Sequence, residues 1–337
     1  MLARGWRGLR LGAVVLDVDG TLTRKDTIED VIAAAIDGAS RCYSAATQQR
    51  RDEQGEGRAR PGDEEDAVGQ SKRHVWAGLK EAYAGPYGTF LDHLLPPQRS
   101  HRTASLLQHH LLEEERVEYE SVRRVEAAGL LAGLSTEQWR ELGRSMARSD
   151  LLHTGAVECI RRLREEAAAN TDCEGGLALH ALSANWSKDY LAGALDGLID
   201  EQHIRTNEVN PMDLAYDEVT KLSTGQMKLQ VVSALDKQRY IRCLREELHN
   251  RPNNRVLYVG DSLNDILALL EADYGVLMGS RKTAAEVLRA YNVEVRPLAS
   301  FETKFAQEPN AQGPVVWQAN DWGEVVSWLF PSDENRK

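Results

Sequence analysis

The chain has 337 residues, with 41 lysines and arginines against 52 aspartates and glutamates, for a formal net charge of −11. That length accommodates a core domain plus a smaller second one, and the acidic balance argues against nucleic acid as a partner. No apolar run approaches the ~20 residues of a membrane span, so no membrane partner is expected.

Residues 1–10 carry Arg4, Arg7 and Arg10 and no acid, a faint likeness to a targeting segment. An apolar run, Gly12-Ala13-Val14-Val15-Leu16, follows almost at once and reads as a buried strand. A cytoplasmic protein, or one shared with the nucleus, is therefore expected. The strand leads into Asp17-Val18-Asp19-Gly20-Thr21. Carboxylates two residues apart point the same way if strand geometry persists. Gly20 allows a tight turn, and Thr21 places a hydroxyl just beyond it. Buried paired carboxylates cost free energy unless a cation or a shared proton compensates. Alone, the pair is equally a strand ending in an acidic turn, so later residues must decide.

From 26 to 148 the pattern is helical. Residues 27–39 are amphipathic through Ile28, Val31, Ile32 and Ile36, and further helices are predicted over 75–83, 105–131 and 136–147. Trp76 and Tyr83, seven apart, share one helix face. Residues 48–72 are charged, glycine-rich and poor in large apolar side chains. They read as a disordered insertion, with a partner-binding loop as the functional alternative.

Next come a helix over 155–169, a strand over 177–182, a helix over 187–195 and a short strand over 204–207. A hairpin through 219–232 turns near Thr224-Gly225, and Asp236 N-caps a helix over 236–249. A strand over 256–259, a helix over 264–271, a strand over 275–278 and a helix over 282–290 follow. Such alternation predicts an α/β fold, a Rossmann-like parallel sheet with helices on both faces. In the tail, 317–330, Trp322, Val325, Val326, Trp328 and Leu329 fall at helical spacing and dock on the core. The four cysteines are widely spaced and the nine histidines show no metal spacing, so a reducing compartment is favoured over a zinc site or disulfide framework.

Two more strand ends carry chemistry. The 177–182 strand leads into Ser183-Ala184-Asn185-Trp186-Ser187, and the 256–259 strand into Gly260-Asp261-Ser262-Leu263-Asn264-Asp265. Asp261 and Asp265 face one way if a helix begins there. In open α/β sheets, strand carboxyl ends are where ligands bind.

This set resembles the haloacid dehalogenase-like (HAD) superfamily of phosphohydrolases. Asp17-Val18-Asp19-Gly20-Thr21 matches its first motif, Ser183 its second, and Gly260 to Asp265 its fourth. The third-motif lysine has two candidates, Lys228 and Lys237, of which Lys237 is preferred because it opens the helix leading to the last motif strand. The resemblance implies a core of residues 1–25 and 150–337 and a helical cap of 26–149, inserted after the first strand. It implies Asp17 as nucleophile forming an aspartyl-phosphate and Asp19 as general acid and then base. It implies Mg²⁺ held by Asp17, the Asp19 carbonyl, Asp261 and waters, with Asp265 completing that shell or orienting the lysine. Ser183 and Lys237 would bind the phosphoryl group, whereas each taken alone reads as a turn or helix-start residue.

Thr21, Asn185 and Trp186 are expected as substrate contacts. Trp186 either stacks on a heteroaromatic or cationic ring or packs on the following helix. The runs 260–276, 182–186, 235–237 and 322–325 further resemble the phosphatase half of plant bifunctional thiamine-salvage proteins and the stand-alone fungal cold-tolerance-type HAD proteins. That likeness makes thiamine monophosphate a candidate among small-molecule phosphate esters. Another phosphate ester (phosphoserine, pyridoxal phosphate or a nucleotide), transfer to an acceptor other than water, and a non-catalytic HAD-like regulator are the alternatives. The intact Asp17, Asp19, Asp261 and Asp265 set argues against the last.

Overall fold

A computed structural model describes residues 9–38, 40, 63–95, 103–168, 176–209, 222–279, 282–302 and 314–331. Its centre is β1 (Leu11–Leu16), buried throughout. Val14 and Leu16 enter the hydrophobic cluster on one face of the sheet, and Ala13 and Val15 that on the other. A strand apolar on both faces needs cover on both. The remaining strands are β2 (Ala178–Leu182), β3 (Ile204–Arg205), β4 (Arg255–Gly260), β5 (Tyr274–Met278), β6 (Glu294–Pro297) and β7 (Val315–Ala319). All pair in parallel, in the order β3-β2-β1-β4-β5-β7-β6. The order runs outward from β1 in both directions, so the topological switch point lies between β1 and β4. Their carboxyl ends open a crevice there.

Helix α1 (28–38), α4 (Thr136–Arg148), α5 (Thr154–Ala168), α6 (Lys188–Ala194) and α10 (Trp322–Leu329) contribute to one cluster. Helices α7 (Ala234–Leu248), α8 (Ile266–Glu271) and α9 (Lys282–Ala290) build the other. The long pair α2 (Asp63–Leu94) and α3 (Ala104–Ala127) joins that second cluster through Phe90, Leu94, Leu107 and Leu111. The α/β reading with a parallel sheet therefore holds, and several local expectations change.

Helix α2 is far longer than the expected 75–83, running through Gly78, Gly85, Pro86 and Gly88. Tertiary packing overrides these weak helix formers. Its first residues, 63–72, are helical rather than part of a disordered insertion. There Gly69 lies against the Ser40 side chain, Lys72 Nζ donates to the Gly129 carbonyl, and Arg73 pairs with Asp37. Residues 48–62 lie outside the described residues.

Ser233, not Asp236, caps α7. Ser233 Oγ accepts from the Asp236 N–H while the Asp236 carboxylate accepts from Ser233 N–H, forming a capping box. Residues 222–232 form no hairpin. Thr224 instead bridges Ala132 and Lys228 bridges Glu208, and residues 219–221 lie outside the described set. The tail splits into β7 and α10, and β6 was not foreseen because Glu294-Val295-Arg296-Pro297 has one apolar residue before a proline.

Helix α4, in the segment expected to form the cap, packs on α6 in the sheet domain. The two backbones meet at glycines. A Cβ on Gly143 would lie 2.0 Å from the Tyr190 carbonyl oxygen, and one on Gly193 would lie 2.0 Å from that of Arg140. Because the obstructing atoms are backbone, the helices must separate to admit a methyl. Gly193→Ala should cost about 1–3 kcal/mol. The check is urea unfolding, with a lower midpoint at unchanged slope.

Candidate active site

Asp17 follows β1, and its N–H donates to the Val259 carbonyl of β4 at 2.9 Å, so the backbone ties the two strands at the crevice. Asp17 Oδ1 accepts from Lys237 Nζ at 2.7 Å, and the same ammonium donates to Asp265 Oδ1 at 2.7 Å. All three side chains are buried. Lys237 is delivered from the first turn of α7, which the capping box holds in register. Lys228 is exposed, and its backbone pairs with Glu208.

Asp265 is saturated with donors. Oδ1 receives Lys237 and the Tyr258 hydroxyl at 2.6 Å; Oδ2 receives the N–H groups of Asp261 and Ser262 and the Ser262 hydroxyl at 3.1, 2.9 and 2.7 Å. Burial pushes this carboxyl up, but Lys237 and the other donors outweigh it and hold it below the ordinary range. Five donors leave it better suited to positioning the lysine than to ligating a cation. Gly260 makes the arrangement possible, since a Cβ there would lie 2.4 Å from Asp265 Cγ.

Asp17 is pushed the other way. Burial and the Asp265 and Asp261 charges raise its carboxyl well above the usual range against the pull of Lys237. Burial also pulls on Lys237, but the Asp17 and Asp265 charges prevail and keep its ammonium firmly protonated. Asp17, Asp261 and Asp265 each offer an oxygen within 4.8 Å of the others. Fully ionised, these three carboxylates would exceed the one ammonium by two negative charges in a buried space, which is why Asp17 is raised. That excess and the all-oxygen donor set fit a hard divalent cation.

Asp19 lies beside this cluster. Its Oδ1 accepts from the N–H of Thr27 at 2.9 Å and from the Thr27 hydroxyl, while Oδ2 accepts from Ser183 Oγ at 3.1 Å and Asn185 Nδ2 at 3.4 Å. Thr27 immediately precedes α1, so Asp19 joins the strand end to the entrance of the helical segment. The three expected substrate contacts are each engaged within the protein. Thr21 donates to Asp261 Oδ1 at 3.1 Å, Asn185 donates to Asp19 and Thr27, and Trp186 is buried with its ring at 90° to Trp76, 6.1 Å between centroids.

Tyr258 and Thr27 were missed. The first reads as one more apolar strand residue, and the second as a helix-start hydroxyl. Trp322 of α10 also supports the site, donating from Nε1 to the Thr21 carbonyl at 3.0 Å.

The strand order places the carboxylates at the switch point, with a lysine between Asp17 and Asp265, in agreement with the resemblance drawn from the motifs. The chain is similar in sequence to the bifunctional TH2 protein, mitochondrial, of Arabidopsis thaliana, at 24% identity over 272 residues, 77% of this chain and 41% of that one. It thus spans about two fifths of that relative's length. No family model matches. Similar solved structures include a substrate-bound phosphoserine phosphatase, at 13% identity with 94% of this chain and 97% of that one covered and a TM-score of 0.47. A HAD family hydrolase of Salmonella enterica serovar Typhi is similar at 13% identity, covering 96% of this chain and 72% of that one, with a TM-score of 0.46.

Replacing Lys237 by Met should destabilise the metal-free protein by about 3–5 kcal/mol at neutral pH, because buried carboxylates lose their counter-charge. With the ammonium gone, the folded pKa of Asp265 rises and that of Asp17, already raised, rises further. The deficit against wild type is then full above those values and shrinks as pH falls through them. Urea unfolding of both proteins in chelator across acid to neutral pH checks the trend.

Proposed function

We propose that this chain is a Mg²⁺-dependent phosphomonoesterase working through an aspartyl-phosphate on Asp17. The observation that carries the reading is the buried Lys237 ammonium shared by Asp17 and Asp265 at the switch point of the sheet. Asp17 attacks the ester phosphorus with one carboxylate oxygen while Lys237 orients the other and offsets charge on the transferring group. Asp19 gives a proton to the departing alkoxide and then takes one from the water that cleaves the acyl-phosphate. Ser183, within reach of Asp19, donates to a phosphoryl oxygen. Asp17, the Asp19 carbonyl and Asp261 would hold Mg²⁺, which when bound supplies charge neutralisation at the phosphoryl oxygens.

Within this reading residues 26–149 act as a lid that excludes water and reads the leaving group. The sequence likeness to the phosphatase half of thiamine-salvage proteins makes thiamine monophosphate the first substrate to try. Among the described residues no helix is long and apolar enough to cross a membrane, and Cys159 and Cys243 are free thiols. The free thiols fit a reducing compartment, and we propose the cytoplasm.

Asp17→Asn should abolish Mg²⁺-dependent phosphate release from thiamine monophosphate and a phosphometabolite panel while far-UV circular dichroism stays that of wild type. A folded, active Asp17→Asn protein overturns the mechanism. Mg²⁺ at about a hundred times its Kd should add about 2.7 kcal/mol of stability to wild type. Asp261→Asn should lose most of that gain, as read by thermal unfolding with and without the metal.

A further inference from the structure

Two acids on α3 lie outside the machinery just described. Glu114 is 1% exposed, and its Oε2 has no hydrogen-bond partner among the described residues. The Ala234 N–H at the start of α7, three residues before Lys237, favours its charged form. Glu118, one turn further along α3, accepts from the Tyr83 hydroxyl at 2.6 Å. Tyr83 and Tyr87 of α2 are half-buried and stacked, with centroids 5.1 Å apart and planes 22° apart. Glu114 and Glu118 act electrostatically on each other and on both tyrosines, and Glu114 also feels Lys237 and Asp265.

We propose that Glu114 and Glu118, with Tyr83 and Tyr87, form a site on the α2–α3 pair that binds a positively charged leaving group of the phosphate ester. The proposal rests on the phosphatase reading and narrows it to esters bearing an organic ammonium or aromatic cation. A buried carboxylate oxygen without a donor is costly unless a cation reaches it. Lys237 is the nearby cation acting on Glu114, and it is already held between Asp17 and Asp265. Among the described residues the pair therefore lacks a cation of its own, and stacked phenol rings beside it offer the faces that attract one. Because Glu114 lies within electrostatic reach of Lys237, we assign a cation held there to the small molecule whose phosphoryl group faces Asp17 in the phosphatase reading. Burial, reinforced by Glu118, pushes the Glu114 carboxyl up to about 8, and burial pushes Glu118 up to about 7. A cation that reaches the pair would therefore also return both carboxyls toward their charged form.

The test compares kcat/KM, with Mg²⁺, on two cationic esters, thiamine monophosphate and phosphocholine, and on p-nitrophenyl phosphate, whose leaving group carries no positive charge. Wild type should favour at least one cationic ester. Glu114→Gln and Glu118→Gln should each lower that preference about tenfold or more, chiefly through KM. Free thiamine, which carries no phosphate, should bind wild type by calorimetry and bind Glu114→Gln about tenfold or more weakly. Turnover of p-nitrophenyl phosphate without preference for either cation, or an unchanged preference in both variants, overturns the proposal and leaves the phosphatase reading standing. No turnover of any ester, with thiamine still bound in a Glu114-dependent way, sinks the phosphatase reading and keeps the cation site.

Discussion

One ammonium shared by two buried carboxylates organises this molecule. Lys237 comes from α7, Asp17 from the end of β1 and Asp265 from the turn after β4, so the interaction joins three elements far apart in sequence. Its desolvation is costly, and the surroundings are built to offset that cost. Tyr258, Ser262 and the Asp261 N–H complete Asp265, while the Ser233–Asp236 box fixes the turn that delivers the lysine. Glycine at position 260 lets Asp265 approach at all. Each feature serves the same requirement, which is to hold an ion pair in a space that otherwise rejects charge.

The balance is deliberately incomplete. Asp265 is satisfied by protein donors, whereas Asp17 is left with its carboxyl raised by burial and by like charges. A carboxylate so placed is ready to gain from any added positive charge, whether a divalent cation or the polarised phosphorus of an ester. Asp19 is arranged differently, with hydroxyl and amide donors from Thr27, Ser183 and Asn185. Two carboxylates two residues apart thus sit in unlike surroundings, one tied to a cation and the other to neutral donors. Such divergence suits two unlike roles, nucleophile and proton carrier.

How much of this the sequence showed depends on whether the deciding contacts were local. Strands β1, β2, β4 and β5 were legible because each is a short apolar run ending in Gly, Ser or Asp. The preference for Lys237 over Lys228 followed from its place at the start of a helix, and its ammonium does meet Asp17. Local patterns failed where a distant partner decides. Pro86 and three glycines hid the length of α2, which is held by its packing on α3. Glu294-Val295-Arg296-Pro297 becomes a strand only because β7 lies beside it. The partners of Thr21 and Trp186, Asp261 and Trp76, lie 240 and 110 residues away in the chain and so were not legible locally.

The same reasoning explains why Glu114 and Glu118 were invisible in a run rich in glutamate and arginine. On a helical wheel they are two more charges on a solvated stretch, and only the docking of α3 against α2 and α7 buries Glu114. Burial reverses the meaning of the residue type. An exposed glutamate four residues from another costs a few tenths of a kcal/mol, whereas a buried one with a free oxygen is costly unless something positive arrives. The chain repeats one device at two points. At the sheet, carboxylates outnumber the cation among them, and on the helices above α7 a second acid pair lies beside stacked phenols. With a divalent cation bound at the sheet, a ligand carrying phosphate at one end and positive charge at the other would meet complementary groups at both.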